Sequence, residues 1–590
     1  MSDTIYTPLV HPDTHPAFHS KGFHPDTIQL LPKGHVKQPG FQAFPVDVIW
    51  EQDRAIPMRD GIKIYADVFR PSDGEKVPAI IPWSPYGKAG MSTLNYDIMG
   101  PWRIGIPYQC LSGYETFEVV IFCPGPNPAE WCSRGYAVVD VDARGSGYSE
   151  GNLVFWGEQE ATDMYDSISW AASQPWCNGS VVLMGNSWLA ISQINFASRF
   201  THPNLKAIAP WEALTDPYSH QVCRGGVQDS SGFCDMIMSG FAGCRKAENI
   251  AAMAKMHPLL DDYWKGKLIR VEDIRDIPMY LTASYSTGLH CEGSFYTFEH
   301  ASTSRKWLRV HASQEWHDLY RPEATDDLQR FFDFYAKNIP NGWETDTPRV
   351  RLSLLGYDGS PAKTVVERPE ETWPPARQHL RRYYLDAAGK SLVETKPACP
   401  ASISHEGHSL TESSDFTLFF TKPTELCGRP FAKLFLSTTS TDMDVVIQIR
   451  KLSSTDTPLT SLNWSPMPKP APEVPDVNVA KHLGQQGMLR ASHGMSLRPR
   501  SHENELPVYD HDRAEPVKPG EVIPLLIPIW PVGMVFEAGE GVMLRVSGHD
   551  MALPEVEGMR VDEAVDENEG VHTVYTGGER GSYLVLPVIE

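Results

Sequence analysis

Apolar positions alternate with polar ones across residues 62–69, with Ile62, Ile64, Ala66 and Val68 set against Lys63, Tyr65 and Asp67. That is the period of a half-buried strand. More continuous apolar runs at 77–83, 136–141 and 180–184 read as buried strands. Between the last two, Ala161, Met164, Ile168 and Ala171/Ala172 fall on one face of a helix over 158–172. Strand, helix and strand in that order, with apolar strands, predict a parallel α/β sheet. Further strands are expected at 206–209, 278–283 and 306–310, and a helix at 325–340. Residues 213–275 interrupt this series with helical patterns. An insertion there, after a strand's C-terminal end, would cover the ligand face of the sheet as a lid.

After Thr347-Pro348 the pattern changes to short alternating strands, among them 350–354, 434–438, 444–449 and 542–546. Pro and Gly turns separate them, which predicts an all-β sandwich of jelly-roll type. The Pro-rich stretch 466–475 reads as a loop within it. Residues 1–44, broken by Pro8, Pro12, Pro16, Pro25 and Pro32, are expected to be extended and irregular. The expected organisation is an extended segment 1–44, an α/β catalytic domain over 45–212 and 276–347, a helical lid 213–275 and a jelly roll 348–590.

Composition narrows the function. The 590 residues are 41% hydrophobic and 21% charged, ordinary globular usage. No apolar run reaches the roughly 18 residues of a transmembrane helix. The polar start Met1-Ser2-Asp3-Thr4 does not read as a secretory signal. A net charge of −22 argues against general nucleic-acid binding. The acids between Glu555 and Glu569 read as a solvated loop. Ten Cys without CxxC spacing read as reduced thiols of a cytoplasmic protein. His11, His15, His19, His24 and His35 are too loosely spaced for a metal site, and no cofactor is expected.

The sharpest chemical signal is Val182-Leu183-Met184-Gly185-Asn186-Ser187-Trp188-Leu189-Ala190, a strand running into Gly-x-Ser and then a helical pattern. A serine at such an elbow is exposed for nucleophilic attack, and small neighbours let the backbones pass. The second small residue falls at Ala190, one place later than in the usual motif.

The order of motifs along the chain resembles the cocaine esterase / X-prolyl dipeptidyl peptidase family of α/β-hydrolases. Met58-Arg59-Asp60-Gly61, Ser84-Pro85-Tyr86-Gly87-Lys88 and Asp142-Ala143-Arg144-Gly145-Ser146-Gly147-Tyr148-Ser149 precede the elbow. Gly487-Met488-Leu489-Arg490-Ala491-Ser492-His493, Phe536-Glu537-Ala538-Gly539 and Thr576-Gly577-Gly578 follow in the second half. The resemblance implies an α/β-hydrolase sheet with a C-terminal jelly roll. It implies Ser187 as nucleophile, with the Trp188 N–H and the Tyr86 phenol as oxyanion donors. It implies a structural turn for Asp142, Arg144 and Gly145.

The base and its acid depart from the family pattern. Thr287 stands where the family's Asp is expected, and Glu315 where its His is expected. Three readings stay open. His317 is the base, oriented by Glu292 or Asp318. Alternatively the loops exchange roles, with His290 as base and Glu315 as its orienter, since the same geometry arises from different chain orders. Or the triad is degraded. His311 reads as a strand-end residue, and Cys291 is disfavoured as a thiol nucleophile. Trp83, Trp211, Tyr285 and Trp316 are the expected apolar walls of the substrate site.

The expected function is a serine hydrolase cleaving an ester, lactone or thioester of a small molecule through an acyl-serine. A non-hydrolytic acyltransferase or cyclase of natural-product biosynthesis, an X-prolyl dipeptidyl peptidase, and a binding protein without catalysis are the alternatives. No acidic anchor for a peptide's amine is identifiable. Neither nucleic acid nor membrane is an expected partner, and homo-oligomerisation is left open.

Overall fold

The computed structural model describes residues 4–15, 22–88, 111–115, 125–229, 232–313, 315–463, 482–550 and 568–590. The 466–475 stretch, His19 and most of the acidic run before Glu569 lie outside them.

The apolar runs become strands, all but Tyr6–Pro8 and Lys246–Glu248 of them in one large sheet. In chain order they are β1 (Tyr6–Pro8), β2 (Ile28–Leu31), β3 (Val48–Pro57), β4 (Lys63–Pro71), β5 (Val77–Ile81), β6 (Trp83–Ser84), β7 (Ala137–Asp142), β8 (Cys177–Asn186), β9 (Leu205–Trp211), β10 (Lys246–Glu248), β11 (Met279–Ala283), β12 (Lys306–Val310), β13 (Val350–Leu354) and β14 (Val365–Glu370). The sheet order is β14-β13-β12-β11-β9-β8-β5-β7-β4-β3-β2, with β6 beside β7. From β13 to β7 neighbouring strands run parallel, and the β4–β3–β2 edge is antiparallel. Parallel strands need both faces covered. Helices Glu158–Ser173 and Trp188–Arg199 pack one face and helices Pro128–Ser133 and Pro322–Ala336 the other.

Two points differ from the sequence expectation. The N-terminal segment is not wholly irregular: β2 adds to the sheet edge, and β1 pairs antiparallel with β10 of the insertion. Strand β13, grouped by its alternating pattern with the second half, pairs parallel with β12 and extends the first sheet. The rest of the second half is a β-rich unit of 13 described strands, from Gln378–Asp386 to Tyr583–Ile589. One apolar core runs from the first sheet into this unit.

The insertion between β9 and β11 holds helices Phe233–Ser239, Ile250–Met256 and Asp262–Lys265 together with β10. Because β8, β9, β11 and β12 are parallel neighbours, the residues after each emerge at the same edge. That edge is where an open α/β sheet binds its ligand.

Candidate active site

Ser187 directly follows β8 with φ 60° and ψ −125°, a backbone state that costs a non-glycine residue about 1–3 kcal/mol. Its carbonyl accepts the Ala190 and Ile191 N–H groups, both at 2.9 Å, and so starts the helix Trp188–Arg199. The Trp188 N–H therefore lies in the first turn, where helical amides have no ladder acceptor and the dipole is positive. Both features suit a nucleophile with an oxyanion donor next to it.

Three loops meet here. His290 follows β11 and Glu315 follows β12. The His290 Nδ1 lies 3.0 Å from Glu315 Oε2, and the two are 3% and 1% exposed. The same Glu315 oxygen accepts the side-chain amide of Asn186 at 2.8 Å, and Asn186 also donates to the Trp211 carbonyl. Asn186, the residue before Ser187, thus ties Glu315 to the elbow. A carboxylate on Nδ1 leaves Nε2 as the proton-accepting nitrogen.

A second pair lies beside the first. Glu212 follows β9 directly with φ 59°, and its carboxylate is 2.6 Å from His311 Nε2. His311 Nδ1 lies 3.0 Å from the Ser313 carbonyl, which only accepts, so this nitrogen carries a proton. Burial opposes charging the ring, but Asp318 and Glu212 outweigh it and hold the His311 pKa above its ordinary value. Burial alone would raise Glu212; the hydrogen bond and charge of His311, with the charge of His290, lower it. Both shifts favour the imidazolium–carboxylate form of the pair.

Glu212, His290 and Glu315 bring ligand-type atoms within 4.8 Å of one another, and no other described group of three or more does so. The set mixes one nitrogen with carboxylate oxygens. It is already engaged by the His290–Glu315 contact and by His311.

The alternative acids are committed elsewhere. Asp318 pairs with Arg309 and accepts the Trp211 indole N–H at 3.1 Å. Glu292 pairs with Arg429. Thr287 is buried and shares a 2.7 Å hydrogen bond with Ser284. Residues 316 and 317 belong to helix Glu315–Leu319, but the Trp316 and His317 side chains lie outside the described parts. Burial pushes the Cys291 thiol far up, away from thiolate character.

Tyr86 follows β6. Its ring stacks on Phe241 of the insertion at 6.0 Å and meets Trp188 edge-on at 6.2 Å. Its loop is anchored by Lys88, whose Nζ lies 2.6 Å from Asp53 and 2.8 Å from Asp67 and whose N–H donates to Asp142 at 2.7 Å. Burial raises Asp142 to about 7 even against the Lys88 charge. Ser146 adds a 2.6 Å hydrogen bond to the Pro85 carbonyl. The turn after β7 thus holds the tyrosine's loop. The Trp188 indole donates to Glu160 at 2.7 Å and packs on Phe155 and Trp156, each at 4.9 Å.

Three expected wall residues are wholly buried. Trp83 is buried beside Arg144, Glu160, Asp163 and Trp188. Trp211 belongs to the core on the opposite face of the sheet. Tyr285 is packed between the two halves, its hydroxyl accepting the Trp373 indole N–H at 3.0 Å. Trp211, on the opposite face of the sheet, and Tyr285, at the seam between the halves, serve the frame. Period and motif left Glu212, Asn186, Phe241 and Lys88 without a role. Only the position of Glu212, immediately after a strand, was a signal for it.

Residues 60–257 match the X-Pro dipeptidyl-peptidase (S15 family) and residues 341–585 the X-Pro dipeptidyl-peptidase C-terminal non-catalytic domain. The cocaine esterase of a Rhodococcus strain is 23% identical over 643 residues, covering 91% of this chain and 98% of that protein. The crystal structure of a CocE/NonD family hydrolase from Staphylococcus aureus is 29% identical, covers 99% of both chains and superposes with a TM-score of 0.82. An α-amino acid ester hydrolase, at 15% identity and a TM-score of 0.65 over 98% of this chain and 100% of its own, shares the fold. With both halves matched in this order around a serine elbow, the chain belongs to the cocaine esterase / X-prolyl dipeptidyl peptidase-like family of α/β-hydrolases.

Proposed function

We propose that Ser187, His290 and Glu315 form the catalytic triad with which this esterase-like serine hydrolase cleaves a small-molecule ester. The observation that carries this assignment is the His290–Glu315 contact, tied through Asn186 to the residue next to Ser187. Ser187 Oγ attacks the acyl carbonyl while its proton passes to His290 Nε2. Glu315 orients the ring and stabilises the imidazolium. The Trp188 N–H and the Tyr86 phenol receive the oxyanion, an interaction worth about 3–4 kcal/mol per donor in other hydrolases. The imidazolium then protonates the leaving alcohol. Water, activated by the same histidine, releases the acid from Ser187.

The aromatic surroundings of the elbow, Tyr86, Phe155, Trp188 and Phe241, favour an apolar group on the substrate. The compartment expected is the cytoplasm. In support, the described cysteines are all free thiols, and no described helix is long and apolar enough to cross a membrane.

The test is labelling by a fluorophosphonate together with turnover of p-nitrophenyl esters. Ser187→Ala is expected to abolish labelling, and both Ser187→Ala and His290→Ala to lower kcat by about 10⁴-fold or more. Esterase activity retained in His290→Ala would remove His290 as the base. X-Pro p-nitroanilides and product analysis separate ester hydrolysis from peptide cleavage and acyl transfer.

A further inference from the structure

Arg224 lies in a short 3-10 turn of the insertion, Arg224–Gly226. Its guanidinium stacks on the Trp530 ring at 3.6 Å. This contact joins the insertion to the C-terminal half. The turn is fixed in place: Gly225 has φ 59° and Gly226 φ 82°, and a Cβ would lie 2.1 Å from the Met488 carbonyl at the first and 2.6 Å from His493 Nδ1 at the second. Trp530 is 9% exposed and its N–H donates to the Gln486 carbonyl at 3.1 Å. The next residue, Pro531, accepts the Cys291 thiol at 3.7 Å, and Cys291 follows His290. A chain of contacts therefore leads from Arg224 to the catalytic loop.

The guanidinium makes no hydrogen bond or ion pair with any described residue. The acids whose charge reaches it are engaged elsewhere: Glu292 with Arg429, and Asp550 with the Gln486 amide at 2.5 Å. Burial pulls the Arg224 pKa down to about 10, partly offset by Asp550, Cys291 and Glu292. The residue as a whole is only partly buried. A guanidinium seated on an indole face keeps its N–H donors in its own plane, where they can serve as a fork. A half-buried arginine without a hydrogen-bonding partner is unfavourable until an anion meets it, and a carboxylate matches the fork with two parallel bonds.

We propose that Arg224, seated on Trp530, is the anchor for a carboxylate carried by the substrate, so that this enzyme's esters are half-acids. The proposal rests on the catalytic reading above. It selects against peptides with a free α-amine, which would bring a cation to a cation. The overall charge of −22 would repel a half-acid at long range; a local guanidinium offsets that repulsion where the substrate docks.

Mono-p-nitrophenyl esters of glutaric, adipic and suberic acid are compared with their methyl-capped diesters, in wild type, Arg224→Met and Arg224→Lys. Calorimetric titration with the free diacids reads binding without catalysis. Wild type is expected to favour at least one half-acid over its capped form by about tenfold or more in kcat/KM. Arg224→Met should lose that preference and diacid binding, and Arg224→Lys should retain part of both. Thermal melts confirm that the variants fold. A preference that survives in Arg224→Met, or wild type that neither prefers a half-acid nor binds a diacid, overturns the proposal. If wild type is not labelled at Ser187 the catalytic reading fails, while the titration still decides the anion site.

Discussion

Single residues at this site do work that their type does not announce. Asn186 donates to Glu315 and so fixes its carboxylate at the elbow, and Glu160 accepts the Trp188 indole N–H. Burial pushes the Glu160 carboxyl up to about 7, against hydrogen bonds from Trp188 and Asn195. A pKa raised on folding means that the neutral form stabilises the protein. That contribution is complete below the ordinary glutamate range and fades as pH rises through about 7. Glutamine keeps the acceptor and never ionises. Glu160→Gln should therefore flatten the loss of Tm between about pH 5 and about pH 8, by up to about 3 kcal/mol in urea denaturation. An unchanged slope would mean that Glu160 is ionised throughout.

Among the elements, β1 acts as a strap. It pairs with β10, and the contact is extended by Asn249 N–H to the Ile5 carbonyl at 2.8 Å and Gly243 N–H to the Val10 carbonyl at 3.0 Å. The strapped segment carries Phe241 onto Tyr86 and Trp188. Gly243 is where it passes the turn after β7: a Cβ there would lie 2.2 Å from the Gly145 carbonyl. Gly243→Ala should cost about 1–3 kcal/mol by forcing the two backbones apart. The insertion 213–275 should then become several-fold more sensitive to limited proteolysis, ahead of global unfolding. Wild-type protease resistance in the variant would show that the strap does not hold the insertion.

At the scale of the molecule, the two halves share one core and the site depends on both. Tyr285, on the loop leading to His290, lies against Gly533 so closely that a Cβ would be 2.0 Å from its ring. Arg429 reaches from the second half to Glu292 and Glu299 on the helix that starts at Cys291. Gly533→Ala should lower Tm through about 1–3 kcal/mol of overpacking at this seam. Calorimetry should show either a shifted single transition or, if the halves uncouple, two. A Tm equal to wild type would mean that the ring can move aside freely.

The sheet was largely legible because its strands carry their own apolar period. The expected strand 306–310 and the helix beginning at 158 coincide with the observed elements nearly residue for residue. The elbow was legible because strand, Gly-x-Ser and helix are contiguous. The pairing of β13 was not, since alternation marks a strand without naming its neighbour. The base–acid pair also stayed open in the sequence, with Thr287 and Glu315 at unexpected positions. Glu292 and Asp318 were equal candidates there until arginines distant in the chain, Arg429 and Arg309, accounted for their charge. The sequence by itself determined most of the strands, where the serine elbow stands and what family it resembles, because these depend on local pattern. Only the tertiary structure decided which histidine meets which carboxylate, which aromatics are buried frame, and that Arg224 has no hydrogen-bonding partner among the described residues. Those outcomes depend on residues far apart in the chain being brought together at one edge of a parallel sheet.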